Sequence, residues 1–408
     1  SIVQNRSELA KPRYYLSLAY FGQGMENRAK NSLDNALDKN PNYTKALLHK
    51  SELLLKERDL EKAKQLCEKA LDNSPKNLQA HILKGKIALA ADQLDKAEKV
   101  FNRIVSISPD LSVGYYYLGQ IFLQRKNTQK SLEQFKKALE RNPMSTRAIG
   151  NIVGIYMVQD NPAKALSFCK SKLEEHDDKQ IRAFIHSRKA MVHVQQKELD
   201  KAKAAYKEAI NEQPEWTLPY IRLANIYSNQ GNIEKAISRY EEVHSKNPEY
   251  IPALMNLGML YEENQDIDKA TEYYQKCLDI NEKFAPAANN LAYLLVEQGK
   301  DLNRALSLAQ TAKKQKPDDP GISDTLGWIY VQRGAYQSAI AQFKDALKKM
   351  PDNPSIQYHL GVAYHKQEKK ELALKHLKSA LNNEQDFDKQ DRAKELIAKI
   401  EQEQTENS

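Results

Sequence analysis

At 408 residues the chain is too long for one ordinary globular core, so several domains or a repeat array is expected. Gly (14) and Pro (15) are scarce while Ala, Leu, Lys, Glu and Gln dominate, the usage of a helix-rich protein. Lys and Arg number 62 against 54 Asp and Glu, a net charge of +8, but the two signs are interspersed as on solvated helix faces, which argues against a nucleic-acid surface.

The first nine residues form a lead-in, and a repeat then begins. Pro41, Pro75, Pro109 and Pro143 lie 34 residues apart; Pro214 with Pro248, and Pro317 with Pro351, continue the series. Twelve residues before each stands a small residue: Ala29, Ala63, Ala97, Ser131, Ala202, Ala236, Ala305 and Ala339. Ala165, Ala270 and Ala373 fill the same slot without the proline. Eleven units follow, over about residues 10–387.

Each unit reads as two amphipathic helices. In the first, a small residue precedes an aromatic one by three positions, as in Gly119/Phe122, Ala224/Tyr227, Gly258/Tyr261 and Gly327/Tyr330, which puts both on one face. After a polar turn the second helix sets its alanine four positions before a bulky residue, as in Ala97/Phe101, Ala236/Tyr240 and Ala339/Phe343. Small residues let helix axes approach, and the proline ends the second helix because it cannot donate and crowds the preceding turn.

The order small, aromatic, Ala, aromatic, Pro at this period resembles the tetratricopeptide repeat, over about nine tenths of the chain. The resemblance implies an all-α, right-handed superhelical solenoid of about eleven helix-turn-helix repeats, with first helices lining a concave groove.

Departures from the repeat are informative. The tryptophan usual near the start of each unit is missing, Tyr115 and Tyr220 being the nearest aromatics. Lys50, Lys84 and Lys189 replace a usual leucine, which predicts less well buried edges there. The fifth unit runs 37 residues, with Lys172 at an alanine slot and Glu174 to Asp178 where a proline would sit. An irregular joint near 172–183 is therefore expected to divide units 1–5 (10–182) from units 6–11 (183–387). The ninth unit carries one extra residue around Gly299 to Leu302. Beyond 387, residues 388–402 predict a capping helix with Ala393, Leu396, Ile397 and Ile400 on one face, followed by a frayed tail to 408.

Catalytic signatures are missing. There is no His-Glu-x-x-His, no Gly-x-Ser-x-Gly elbow and no phosphate loop, and His359, His365 and His376 are spaced to fall on different faces. No cofactor, no metal and no enzymatic activity is expected. Cys67, Cys169 and Cys277 occupy packing slots at least three repeats apart, as buried thiols rather than disulfides. No apolar run approaches the ~20 residues of a membrane span. The chain opens at Ser1 rather than Met, as expected if a leader or longer N-terminal part has been removed. That leaves the compartment open between cytoplasm and periplasm or envelope.

What remains is a surface for a protein or peptide partner. The groove-facing slot one residue past the small one reads Leu18, Glu52, Lys86, Gln120, Gly154, Met191, Asn225, Met259, Tyr293, Trp328 and Val362. Asn can pair with both N–H and C=O of an extended chain. Arg222, Asn256 and Asn290 share one equivalent slot, with Asn225 and Asn289 beside them. The candidate partner-binding set is thus Arg222, Asn225, Asn256, Met259, Asn289, Asn290, Tyr293 and Trp328, residues expected to be replaceable without disturbing the core.

The expected role is a non-catalytic scaffold that assembles a multiprotein complex. Asp324 to Tyr330 and Tyr358 to Gly361 resemble closing repeats of bacterial arrays in exopolysaccharide export and envelope assembly. The alternative is the regulatory or targeting part of a larger enzyme or secretion pore.

Overall fold

The computed structural model describes residues 9–382, 387 and 389–405, so the expected lead-in, except Leu9, and the tail from 406 lie outside the described residues. Among those described, 23 helices and no strand occur. The chain packs as two compact units, one up to Gln213 and one from Pro214.

In the first unit the first helices of successive repeats are α1 (Ala10–Gly22), α3 (Thr44–Lys56), α5 (Leu78–Ala90), α7 (Ser112–Gln124), α9 (Thr146–Val158) and α11 (Lys179–Gln195). Their partners are α2 (Glu26–Lys39), α4 (Leu60–Asn73), α6 (Leu94–Ile107), α8 (Thr128–Arg141), α10 (Pro162–Glu175) and α12 (Leu199–Glu212). The second unit continues with first helices α13 (Thr217–Asn229), α15 (Ile251–Glu263), α17 (Ala285–Glu297), α19 (Pro320–Gln332) and α21 (Pro354–Lys366). Paired with them are α14 (Ile233–Lys246), α16 (Ile267–Ile280), α18 (Leu302–Gln315), α20 (Tyr336–Lys349) and α22 (Lys370–Leu381), and α23 (Gln390–Thr405) closes the stack. The eleven pairs and the cap match the expectation, although α23 runs on to Thr405 where fraying was expected from Glu403.

The repeat slots build the core. All eleven small residues of the second helices, from Ala29 to Ala373, are fully buried. The small slot of the first helix meets the bulky slot of its partner: a Cβ on Gly258 would lie 2.5 Å from the Tyr274 ring, and one on Gly327 would lie 2.5 Å from Phe343. Where serine fills a small slot its hydroxyl crosses the same contact. Ser51 Oγ donates to the Ala63 carbonyl at 2.6 Å, and Ser131 Oγ to that of Gly119 at 2.8 Å.

Helix ends follow the punctuation. α2, α4, α6 and α8 each stop two residues before a proline, and the residue between is extended, as at Asn40 (φ −142°, ψ 93°). Each first helix ends on a left-handed residue: Gly at 24, 231, 299 and 334, but Arg58, Asp92, Lys126, Asp160, Lys197, Gln265 and Glu368 elsewhere. The next amide then closes onto the last helical turn, as Asn127 N does onto Phe122 O at 2.8 Å. The extra residue of the ninth unit is absorbed at Asp301, itself left-handed (φ 32°).

The irregular joint lies inside the first unit. The added length enters α11, which has 17 residues where other first helices have 13. Asp178 caps it through the Ile181 amide (2.9 Å), and Arg182 bonds Glu212 (2.6 Å) and the Leu173 carbonyl (2.9 Å).

Two of the three lysines at leucine slots line hollows at the edges where they stand. Lys84 lines two adjoining hollows of about 590 and 280 Å³, and Lys189 lines one of about 610 Å³. Lys50 turns instead to Asp34 at 2.5 Å. Filling these edges is expected to stabilise: Lys84→Leu or Lys189→Leu should each add ~1 kcal/mol, the scale of one or two newly buried methylenes. A higher urea midpoint at unchanged slope checks this, and no gain in either variant would refute it.

Candidate partner-binding groove

Successive first helices approach one another (α3 with α5, α9 with α11, α17 with α19, α19 with α21), which successive second helices do not do to the same extent. The side on which axes converge is the inner side of each stack, so each unit presents its first helices on a concave face. Side chains one position past the small slot project there. Lys86 Nζ and Glu52 Oε1, 34 residues apart at that slot, form a 2.6 Å ion pair. The bonded ammonium holds the Glu52 carboxyl below its usual range.

In the first unit this face contains a hollow of about 560 Å³ lined by α1, α3 and α5, including Tyr14, Tyr15, Leu18, His49, Glu52 and Lys86. Burial lowers the His49 pKa, favouring the neutral ring. Tyr15, about half exposed, and His49 were missed by the slot arithmetic. They lie off the single register position that was followed.

In the second unit the candidate residues fall into two groups. Arg222 is exposed and Met259 is 50% exposed, although its neighbour Gly258 is buried. Asn256 is half-buried and donates only to the Pro252 carbonyl of its own helix, at 2.7 Å. The other asparagines are tied to the core. Asn225 Oδ1 accepts from Tyr240 Oη at 2.5 Å, and Asn290 Nδ2 donates to Tyr274 Oη at 3.1 Å. Tyr274 in turn donates to Glu262 Oε2 at 2.7 Å. Burial raises the Glu262 carboxyl, pushes the Tyr240 hydroxyl up to about 12 and raises Tyr274 further. Asn289 Nδ2 lies 3.4 Å from Asn290 Oδ1, while its own buried Oδ1 has no partner among the described residues.

Tyr293 is half-buried and Trp328 is 8% exposed. Trp328 stacks on His359 at 4.5 Å between centroids and donates Nε1 to Glu297 Oε1 at 2.7 Å. Its outer face is covered by Lys389, whose Nζ lies 5.1 Å from the ring. Glu297 was missed, although it stands four residues after Tyr293 on the same face. Lys389 has no local signal at all.

Other candidate chemistry stays dispersed. His359 bonds Asp324 (2.9 Å) and His376 bonds Gln357 (2.7 Å), and among the described residues no three His, Cys, Asp or Glu gather as metal ligands. No helix there is long and apolar enough to cross a membrane. The cysteines are buried and unbonded to one another, and burial lifts their thiols to about 11, 12 and 11 for Cys67, Cys169 and Cys277. Iodoacetamide at pH 8 should therefore label the native chain at least ~100-fold more slowly than the urea-unfolded chain, since only thiolate reacts. Equal rates would show that these slots open to solvent.

Models described as tetratricopeptide repeat match residues 14–77, 54–117, 112–145, 185–215, 220–249 and 251–284, and one described as TPR repeat matches 327–368. No curated protein matches at a significant level. Among solved structures, the chain resembles a tetratricopeptide repeat protein from Parabacteroides merdae. Identity there is 20%, coverage 63% of this chain and 98% of that one, and the TM-score 0.45. It also resembles YrrB, a TPR protein with an unusual peptide-binding site (24% identity, 44% and 92% covered, TM-score 0.37). A third is the APC/C hetero-tetramer Cut9–Hcn1 (16% identity, 96% and 90% covered, TM-score 0.45). With matched models spread over well more than half of its length and helix pairs in register throughout, the chain belongs to the tetratricopeptide repeat family.

Proposed function

We propose that this chain is a non-catalytic scaffold that holds a partner protein or extended peptide in the groove of repeats 7–9, assembling a multiprotein complex. The observation that carries this reading is the exposed Met259 on the concave face between Arg222, Asn225, Asn256 and Asn289, where each adjacent small-slot residue is buried. An exposed apolar side chain on the same helix as the Asn256 amide, which bonds only within that helix, suits an extended ligand. The unpartnered Asn289 Oδ1 supplies an acceptor for a backbone N–H. The likeness of the closing repeats to envelope and exopolysaccharide-export arrays suggests a bacterial envelope setting for that complex. The intact array used as bait, with captured proteins identified by mass spectrometry, tests the reading. An identical captured set after substitution of Arg222, Asn256 and Met259 would defeat it.

A further inference from the structure

Lys389, at the threshold of α23, reaches back 92 residues to the concave face of the second unit. Its Nζ donates to Glu297 Oε1 at 2.7 Å and lies 5.1 Å from the Trp328 ring centre and 5.8 Å from that of Tyr293. The same Glu297 oxygen accepts from Trp328 Nε1, so the carboxylate and the indole are fixed together. Behind the indole stands His359, held by Asp324, which makes that wall rigid. The Lys389 side chain is 12% exposed there. Two residues earlier, the Phe387 ring packs on Tyr358 at 5.9 Å. These contacts engage α17, α19 and α21, three successive first helices.

Docking of the cap does not require this. α23 already buries Ala393 and Ile400 and pairs Glu403 with Lys370 and Glu401 with Lys378. An exposed ion pair contributes little. A cation between two aromatic faces and a carboxylate, largely withdrawn from water, contributes more and is selective for a cation. In the sequence of 383–389 Lys389 is the one basic residue, among Glu384, Asp386 and Asp388, and it is this residue that meets Glu297.

We propose that Glu297, Tyr293 and Trp328 form a cage for a partner's lysine or arginine, that Tyr358 receives an aromatic two residues before that cation, and that Lys389 and Phe387 fill these two places until such a segment displaces them. The inference rests on the groove reading above and names the ligand chemistry at its C-terminal end. A site filled by its own chain binds a competitor in proportion to the fraction of molecules in which it is vacated.

The test uses the full chain and a fluorescein-labelled peptide with the sequence of residues 383–393. Lys389→Met should bind the peptide at least ~10-fold more tightly than the wild type, the ratio for a site ~90% self-occupied. Adding Glu297→Gln to that variant, or replacing the peptide's lysine by methionine, should return binding to the weak level. Equal affinity for wild type and Lys389→Met, or tightened binding that survives Glu297→Gln, overturns the proposal. Phe387→Ala, which leaves the ion pair and α23 in place, gives a second route should Lys389→Met melt early: several-fold tighter binding supports the cage and none overturns it. If these tests fail while substitutions at Arg222, Asn256 and Met259 still abolish partner capture, the scaffold stands and only the cage is lost.

Discussion

Ala236→Trp is expected to lower the melting temperature of the array by ~6–12 °C, while Gln230→Trp, six residues earlier, leaves it nearly unchanged. Ala236 is fully buried at the closest approach of two helix axes, and the bulky slot four residues on is already filled by Tyr240, 2% exposed. An indole can be seated only by parting α13 from α14. Overpacking of this kind costs ~3 kcal/mol or more, and each kcal/mol moves the midpoint of a domain this size by ~2–4 °C. Gln230 is exposed and caps the end of α13, where added bulk meets solvent. Calorimetry of both variants decides the matter: equal midpoints would mean that the second-helix register is misassigned.

The second large effect concerns binding without loss of stability. Arg222→Ala, Asn256→Ala and Met259→Ala combined should weaken the captured partner by ~2–4 kcal/mol, roughly 30- to 1000-fold in Kd. That sums ~0.5–1.5 kcal/mol for each polar contact and the loss of one buried thioether chain. None of the three supports a buried group, so circular dichroism and melting temperature should stay within error of wild type. Asn225 and Asn290 are excluded for a structural reason. Truncating Asn225 strands the Tyr240 hydroxyl, at a cost of ~1–3 kcal/mol of fold stability, and truncating Asn290 removes a donor from the Tyr274 hydroxyl, which keeps its bond to Glu262; both changes confound the readout. Titration calorimetry with the captured partner separates the cases, and an unchanged Kd would move the site to the hollow lined by Tyr14, Tyr15 and His49.

The groove asparagines differ in their ties: Asn256 bonds within its own helix, whereas Asn225 and Asn290 bond the tyrosines of the second helices. The reason was within reach of the sequence. The bulky slots that receive Tyr240 and Tyr274 have phenolic oxygens that must find partners when buried, and the groove slot across the pair is where they emerge. Helix pairing, the buried alanines and the weak edges at Lys84 and Lys189 were legible because each depends on residues within one 34-residue unit. Lys389 on Glu297 was illegible because that contact is set by how several repeats curve together, which no local period encodes. The boundary between compact units falls after Gln213, one repeat beyond the joint at 172–183. Arg182 and Glu212 span that interval, and a salt bridge over 30 residues leaves no periodic trace.

The eleven left-handed turn residues carry a consequence for adaptation. Seven of them bear side chains where glycine would be relaxed, each holding on the order of 1 kcal/mol of backbone strain. All seven are exposed, and consecutive ones are at least a full repeat apart. Changes at such separated sites add almost independently. The array therefore has a set of graded dials for its thermal tolerance, each turned by one codon, that leave partner recognition untouched. Lineages in warmer or cooler habitats could drift along this axis while the binding surface is held fixed.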